Sequence, residues 1–183
     1  MADEIGGVRM IRKATKNDLD WIEASYTELL TWEAARGSHT NWQLGVYPTR
    51  ETAQKSLDQQ TLYVVQEEDG LCGSMILNQT QPEVYDQISW SFLAEPEEVL
   101  LIHTLCIPPS KAGRGFGKAM ACFAEAKARE LGCKVIRLDT YVENKPAASL
   151  YRSLGYRYAG KAATLHEGVI PEELIFFEKE VCV

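Results

Sequence analysis

A cationic, glycine-rich loop is the stretch of this sequence with the clearest chemical meaning. Residues 111–118 read Lys-Ala-Gly-Arg-Gly-Phe-Gly-Lys, between an apolar run at 99–107 and an amphipathic stretch that ends near Gly132. Glycines let the backbone approach an anion closely, and the free N–H groups at a helix start attract negative charge. Residues 99–124 contain no aspartate or glutamate, although the chain has a formal net charge of -7. The loop therefore predicts a site for a polyanionic ligand.

Two common phosphate-binding motifs do not fit this loop. A P-loop requires GxxxxGK followed by Ser or Thr, which residues 113–118 do not supply. A dinucleotide fingerprint requires GxGxxG and an acidic residue about 20 positions further on. Asp139 stands at such a distance from Gly115, but Lys118 and Met120 stand where a third glycine would be. The glycines therefore indicate either another kind of anion site or a simple tight turn.

The loop has to be positioned by the elements on either side of it. Hydrophobic patterns predict strands at residues 8–12, 62–66, 71–77, 99–107, 135–138, 156–159 and 174–181. Helices are predicted near residues 18–35, 48–59, 116–131 and 146–154. The strand–loop–helix–strand unit must be parallel, so the glycine loop lies at the C-terminal end of strand 99–107, where open α/β sheets bind ligands. Residues 80–98 have no clear period, and their aromatic residues indicate an insertion folded over one face.

The composition predicts one globular domain without nucleic-acid or membrane partners. A chain of 183 residues and 20.5 kDa can bury a substantial core as a single domain, residues 1–183. A pI near 5.1, with 19 Lys and Arg against 26 Asp and Glu, leaves no broad basic surface for nucleic acid or anionic lipid. A small-molecule or peptide partner is expected instead.

The cysteines and the first residues favour a cytoplasmic protein. The five cysteines are scattered, never in a CxxC arrangement, and expected to be buried, reduced thiols; they are Cys72, Cys106, Cys122, Cys133 and Cys182. Residues 1–7 lack a basic segment followed by an apolar one, and no apolar run approaches about 18 residues. Neither secretion nor a membrane span is therefore expected.

Two motifs, in this order along the chain, resemble those of the GNAT superfamily, the acyl-CoA-dependent N-acyltransferases. The first is that family's Q/R-x-x-G-x-G/A loop, matched by residues 112–117 except that Ala112 replaces the usual Gln or Arg. The second motif is complete, and its residues are Asn144, Ala147, Leu150, Tyr151, Leu154, Gly155 and Tyr156. The resemblance implies an α/β (α+β) domain of three layers with a mixed, mostly antiparallel and splayed central sheet.

The resemblance also implies acetyl-CoA as the co-substrate. Its pyrophosphate would rest on backbone N–H groups of Gly113, Arg114, Gly115, Phe116, Gly117 and Lys118. Leu105, Cys106 and Ile107 would present backbone groups to the pantetheine arm where two parallel strands splay apart. The prolines at 108–109 support a splay independently, because they cannot donate ladder hydrogen bonds. Asn144 would reach the cofactor, and it can also cap the helix that follows.

Two residues are the candidate catalytic groups. The resemblance places the Tyr151 hydroxyl near the thioester sulfur, where a phenol can protonate the departing thiolate; the alternative role is core packing. His103 is the candidate base, because in a regular strand it shares a face with Leu101 and Leu105 near the cofactor edge, and imidazole titrates near neutral pH. The alternative is a hydrogen-bonded core histidine. Further candidate bases are Tyr85, Asp86 and Glu98.

Four aromatic residues are candidates for the wall of an acceptor pocket, although aromatics in loops also plug core edges; they are Trp42, Tyr47, Tyr85 and Trp90. No metal site is expected, because His39, His103 and His166 are isolated rather than paired at zinc-ligand spacing.

The resemblance therefore predicts an enzyme, an N-acetyltransferase that moves an acetyl group directly from acetyl-CoA to a primary amine of a small molecule. The acidic composition favours a cationic amine in a general way. Acetylation of a protein N-terminus or lysine is one alternative. A CoA-binding sensor or interaction module without turnover is the other. Many members of the family dimerise, so the resemblance allows a homodimer, although no feature of the sequence indicates one.

Overall fold

A mixed sheet forms the centre of the structure, a computed structural model that describes residues 9–181. Its strands are β1 (Met10–Lys13), β2 (Leu62–Glu67), β3 (Gly70–Asn78), β4 (Val99–Cys106), β5 (Val135–Tyr141), β6 (Arg157–His166) and β7 (Ile170–Glu180). They lie side by side in the order β1-β2-β3-β4-β5-β7-β6. β4 and β5 are parallel, whereas the other neighbours pair antiparallel. The predicted mixed, mostly antiparallel sheet is confirmed.

Helices cover both faces of the sheet. They are α1 (Leu19–Arg36), α2 (Arg50–Asp58), α3 (Phe116–Glu130) and α4 (Lys145–Ser153). Side chains of β2 alternate between the two faces, as strand geometry requires: Leu62 and Val64 pack in the cluster under α1 and α2, whereas Tyr63 and Val65 pack in the cluster under α3 and α4. The sheet therefore lies between two helical layers, which is the predicted three-layer arrangement.

The segment at residues 80–98, which the sequence leaves unassigned, forms two short 3-10 helices, Glu83–Gln87 and Pro96–Glu98. Its aromatic rings pack with Phe176 of β7 and bury a third cluster on the same face of the sheet as α1 and α2. Two buried charges fix its backbone. Arg137 donates to the carbonyl oxygen of Phe92 at 2.9 Å, and Glu178 accepts from the Ser91 N–H at 2.7 Å. The predicted insertion over one face is thus present.

The sheet opens between β4 and β5. The two strands pair from Val99 opposite Val135 to Ile102 opposite Leu138, and the pairing then stops although both strands continue. The sequence places the splay at residues 105–107, and these residues do lie within it, but the opening begins two residues earlier, at His103. The cause is a β-bulge in β4 with Thr104 at φ 47, a conformation that is unusual for a β-branched residue.

The last two strands are longer than predicted. β6 and β7 were expected at residues 156–159 and 174–181 with a loop containing His166, but the loop is a tight turn and His166 ends β6. The outer half of β6 has small and polar side chains, including Gly160 and Thr164, so it has no apolar run. Pairing with β7 across the tight turn defines that half of the strand, and the hydrophobic pattern of β6 alone does not reveal this pairing.

One cysteine prediction is wrong. Cys72, Cys106 and Cys133 are free and buried as expected, but Cys122 is free and exposed, because it lies on the outer side of α3. Cys182 lies outside the described residues, as do residues 1–7 and the first residue of the predicted strand 8–12. From residue 9 to residue 181, none of the helices combines the length and the apolar character that crossing a membrane requires.

Candidate active site at the splayed strands

The glycine loop joins the open end of β4 to α3. Gly115 caps α3 with φ 78, a left-handed conformation that suits glycine, and the first turn of the helix carries no acidic residue. Phe116 is buried, and the guanidinium groups of Arg9 and Arg114 lie over its ring, 4.4 and 5.0 Å from the ring centroid. A Cβ at Gly117 would lie 3.3 Å from Leu150, so glycine lets the start of α3 approach α4 closely. The loop therefore leaves helix N–H groups unpaired at the start of α3, and their role in binding an anion stays a prediction.

Three residues that are distant in sequence complete this loop, and sequence reasoning missed them. Nη2 of Arg9 donates to the carbonyl oxygen of Arg114 at 3.0 Å and also lies 3.0 Å from Oε1 of Glu67. Glu67 pairs with Arg114 as well, and Asp69 lies 2.9 Å from Nζ of Lys111. Although residues 99–124 contain no acidic residue, the fold brings acids of the β2–β3 hairpin next to the loop, where they partly neutralise its cations.

The β2–β3 hairpin also contains side chains of types that bind metal ions, although the sequence predicts no metal site. Within residues 9–181, a group close enough together to hold an ion consists of Glu67, Asp69 and Cys72. Both carboxylates are already engaged by the cations of the loop. The absence of a metal stays a prediction.

Two cavities meet where β4 and β5 separate. The first, here the apolar cavity, has a volume of about 450 Å³ and extends from the loop into the splay; Leu105, Ile107, Gly117, Asn144, Leu150 and Tyr151 line it. The second, here the acidic cavity, has a volume of about 350 Å³; Tyr47, His103, His166, Glu167 and Glu172 line it. Asp139 and Thr104 border both. The splay therefore connects a space beside the loop with a second space on its far side.

Four of the ten predicted cofactor residues line the apolar cavity: Leu105, Ile107, Gly117 and Asn144. Leu105 and Ile107 line it, whereas the Cys106 side chain is buried in the cluster under α1, so that only its backbone is available. Asn144 borders both cavities and also caps α4, with Oδ1 accepting from the Ala147 N–H at 3.2 Å. The capping role is therefore present, and its cofactor role stays a prediction.

Asp139 is the functional candidate that sequence reasoning missed. It lies on β5 immediately after the last residue that pairs with β4, and its Oδ2 accepts a hydrogen bond from the Tyr85 hydroxyl at 2.7 Å. Burial raises the pKa of Asp139 to about 6, and the Tyr85 hydrogen bond opposes that rise. The sequence signal for this role is an acid at the C-terminal end of a buried parallel strand, although its distance from Gly115 suggests only a dinucleotide ligand.

Tyr151 projects from α4 into the apolar cavity. Its side chain is buried, and its hydroxyl makes no hydrogen bond to a described residue. Burial and then the charge of Asp139 raise its pKa above the usual value for tyrosine, so the phenol keeps its proton. Its ring stacks edge-on against Tyr156 at 5.5 Å, which fixes the direction of the hydroxyl.

His103 lines the acidic cavity, and its Nε2 lies 3.2 Å from Oδ1 of Asn78. Burial lowers the pKa of His103 to about 4, so the ring is neutral at physiological pH. The bulge at Thr104 breaks the regular alternation, so His103 and Leu105 do not share a face in the way expected; they line different cavities. Its role as a base stays a prediction.

The other candidate bases and the four candidate pocket aromatics differ in whether they line one of the two cavities. Asp86 is exposed and Glu98 pairs with Lys134, and both lie outside the two cavities. Of the four aromatic residues, Trp42 and Tyr47 line the acidic cavity. Tyr85 and Trp90 pack instead in the cluster beneath residues 80–98.

The fold and the site together define a mixed α/β protein whose sheet opens beside a glycine loop. The model of the acetyltransferase (GNAT) family matches residues 21–156, and the chain belongs to that family. The predicted resemblance is confirmed.

Curated relatives match only part of this chain. It is 35% identical over 68 residues to an uncharacterized N-acetyltransferase of Methanocaldococcus jannaschii, and 30% identical over 73 residues to the streptothricin acetyltransferase of Streptomyces lavendulae. The matches span 37% and 40% of this chain, and 30% and 39% of those relatives.

Solved structures match nearly all of it. An acetyltransferase of Streptococcus agalactiae has a TM-score of 0.78 at 23% identity, with 94% of this chain and 95% of that chain covered. A Salmonella typhimurium protein solved with its cofactor acetyl-CoA has a TM-score of 0.70 at 16% identity, with 96% and 95% covered. At these identities the likeness shows the shared fold.

Proposed function

We propose that this protein transfers an acetyl group from acetyl-CoA directly to a primary amine of a small molecule. The observation that carries the proposal is the meeting of the two cavities at Asp139, beside the open edge of β4. One cavity leads to an anion-binding loop, and the other is lined by acidic and aromatic side chains. An acyl donor and an amine can therefore approach each other at the splay.

The residues present fit acetyl-CoA. The loop N–H groups, with Lys118 and Arg114, suit a pyrophosphate, and the apolar cavity suits a pantetheine arm. Beyond Ile102 the strand edge that faces β5 is free of ladder pairing, so backbone groups of Leu105–Ile107 can hydrogen-bond to an amide chain. When bound, acetyl-CoA supplies an acetyl thioester whose carbonyl carbon accepts the amine.

Proton movements follow from the two ionisable groups at the splay. Asp139 takes a proton from the acceptor ammonium, and the free amine then forms the new C–N bond as the C–S bond breaks. Tyr151 donates its proton to the departing thiolate and recovers one from the acylated nitrogen. The balance is an ammonium and acetyl-CoA giving an amide, free CoA and one proton. His103 is the competing base.

A small acceptor is favoured over a protein. The acidic cavity, at about 350 Å³, lies in the size range of small-molecule sites. One curated relative is named as a streptothricin acetyltransferase, which also supports a small-molecule acceptor. Protein acetylation and binding without turnover are the alternatives that the experiment must exclude.

Calorimetry with acetyl-CoA, followed by measurement of free thiol with a panel of amines, tests the proposal. We expect saturable binding and amine-dependent thiol release. Lys118→Glu should weaken acetyl-CoA binding about tenfold, because it adds repulsion at an exposed cation that pairs with no described residue. Lys16→Glu, an equal charge change beyond the other end of β1, is the control. Binding without thiol release for any amine or peptide would favour a sensor.

A further inference from the structure

The acidic cavity has a charge pattern that an amine with a single charge does not require. Asp139, Glu167 and Glu172 line it, and no lysine or arginine among the described residues does. Asp139 lies at the end beside the splay. Glu167 and Glu172 lie at the other end, around the β6–β7 turn. His166 lies between these two carboxylates and can offset one of their charges, so this second end keeps a net negative charge that the transfer chemistry does not use.

Glu172 is the central residue of that second end. Its side chain is only 4% exposed, and its sole ion pair among residues 9–181 is with His166, whose Nδ1 lies 3.3 Å from Oε1. The other carboxylate oxygen accepts no hydrogen bond from a described residue. Nε2 of His166 is also buried without a hydrogen-bond partner in that part of the chain. Buried carboxylates are normally paired and hydrogen-bonded, and with His166 as its one described partner Glu172 can still accept hydrogen bonds from a ligand.

The surroundings of this carboxylate suit an ammonium group. The ring centroids of Tyr47 and His166 are 4.3 Å apart, and those of Trp42 and Tyr47 are 5.8 Å apart. Aromatic rings beside carboxylates bind organic cations through the ring faces as well as through charge. Such a ligand would supply the hydrogen bonds that Glu172 lacks.

The two negative ends lie on one face of the sheet. Asp139 is opposite Phe176 on β7, and Glu172 stands four residues before Phe176. Because side chains alternate between the two faces of a strand, an even separation places Asp139 and Glu172 on the same face. At strand spacing this offset is about 13 Å between Cα atoms. Side chains reaching inward from both ends leave room for two ammonium groups joined by several methylenes.

We propose that the acceptor is a diamine or a longer amine with a second cationic group, which Glu172 and Glu167 bind while the first amine is acetylated beside Asp139. This inference rests on the proposed function, because it takes the acidic cavity as the acceptor site. It assigns to the β6–β7 turn the selection of acceptors by charge.

Matched acceptors test this inference. Diaminobutane and diaminopentane are compared with butylamine and pentylamine by kcat/KM for thiol release. We expect each diamine to exceed its monoamine by about tenfold or more, mostly through KM. Glu172→Gln should bring the diamine-to-monoamine ratio close to one. The control is Glu173→Gln, at an adjacent residue that pairs with Lys161 at 2.9 Å and lies outside the cavity; it should keep the ratio.

A second variant covers the case in which Glu172→Gln does not fold. Glu167 is half-exposed in the turn, and Glu167→Gln should lower the ratio by about two- to fivefold. Equal kcat/KM values for diamines and monoamines would overturn the inference and leave the proposed function standing. Diamines that are not acetylated by a protein that binds acetyl-CoA would also overturn it. A protein that does not bind acetyl-CoA would instead remove the proposed function.

Discussion

The Tyr85 hydroxyl donates a hydrogen bond of 2.7 Å to Oδ2 of Asp139. Tyr85 belongs to the segment at residues 80–98, and Asp139 directly follows the last residue of β5 that pairs with β4, so the contact ties this segment to the splay. The hydrogen bond favours the charged form of the carboxylate, whereas burial favours the neutral form. Their balance leaves a pKa of about 6, which suits a group that must accept a proton near neutral pH.

Tyr85→Phe should therefore raise the pKa of Asp139. The variant keeps the ring in its cluster and removes only the donor, so the acidic limb of the kcat profile should move to higher pH by about one unit. The measurement is kcat against pH at saturating amine. A limb that stays in place would mean that the hydrogen bond does not tune the catalytic group.

Asp139→Asn should lower kcat by about 10²- to 10⁴-fold and remove the limb near pH 6. Asparagine can still accept from Tyr85, so the fold should survive. Stability provides the check: burial raises the folded-state pKa of Asp139, so the contribution of Asp139 to the free energy of unfolding should fall as pH rises from about 4 to 6, by at most about 3 kcal/mol. The variant should lose that dependence in thermal melts. A fully active variant would exclude Asp139 as the base.

His103→Gln tests whether His103 acts as the catalytic base or has only a structural role. Burial lowers the folded-state pKa of His103 to about 4, so any limb that it causes lies near pH 4 and not near pH 6. We expect the limb near pH 6 to persist in the variant. The lowered pKa also predicts that the contribution of His103 to the free energy of unfolding falls as pH falls from about 6.5 to 4, opposite in sign to the contribution of Asp139, and the variant should lack it. Loss of the pH 6 limb would assign the base to His103.

The sequence predicts the parts of the fold that local pattern determines. The apolar run of β4, the glycines after it and the period of α3 identify the central unit without long-range information. The outer half of β6 cannot be found in this way, because its small and polar residues become a strand only through pairing with β7. The bulge at Thr104 is equally hidden, since it depends on the register between β3 and β4.

In the site, too, local motifs identify some residues, whereas others can be recognised only from the fold. Gly115 and Tyr151 are identified by motif, and both border the splay or its loop. Arg9 and Glu67 reach the loop from residues more than 40 positions away, so their charges have no local signature. Asp139 is apparent in the sequence, but its importance depends on where the pairing of β4 with β5 ends.

Tyr151→Phe should reduce the rate of acetyl transfer and leave the affinity for acetyl-CoA nearly unchanged, because the ring stays and only the proton donor is lost. We expect a loss of about 10- to 100-fold in kcat, since a thiolate is a good leaving group. Tyr156→Phe is the matched control. Its hydroxyl is buried without a partner among the described residues, and its ring stacks on Tyr151, so removing the oxygen should not slow turnover. Equal rates for both variants would make Tyr151 a packing residue.

Glu67→Gln should tighten the binding of acetyl-CoA by about two- to fivefold. Glu67 pairs with Arg114 and with Arg9 at the mouth of the loop, so a pyrophosphate must compete with this carboxylate for both cations. Exposed ion pairs contribute at most about 1 kcal/mol, which limits the gain. Calorimetry at low and high salt measures it, and the gain should shrink as salt rises. Glu130→Gln removes a similar pair with Lys127 near the far end of α3 and should change nothing. Weaker binding in Glu67→Gln would mean that this carboxylate holds the two arginines in place for the phosphates rather than competing with them.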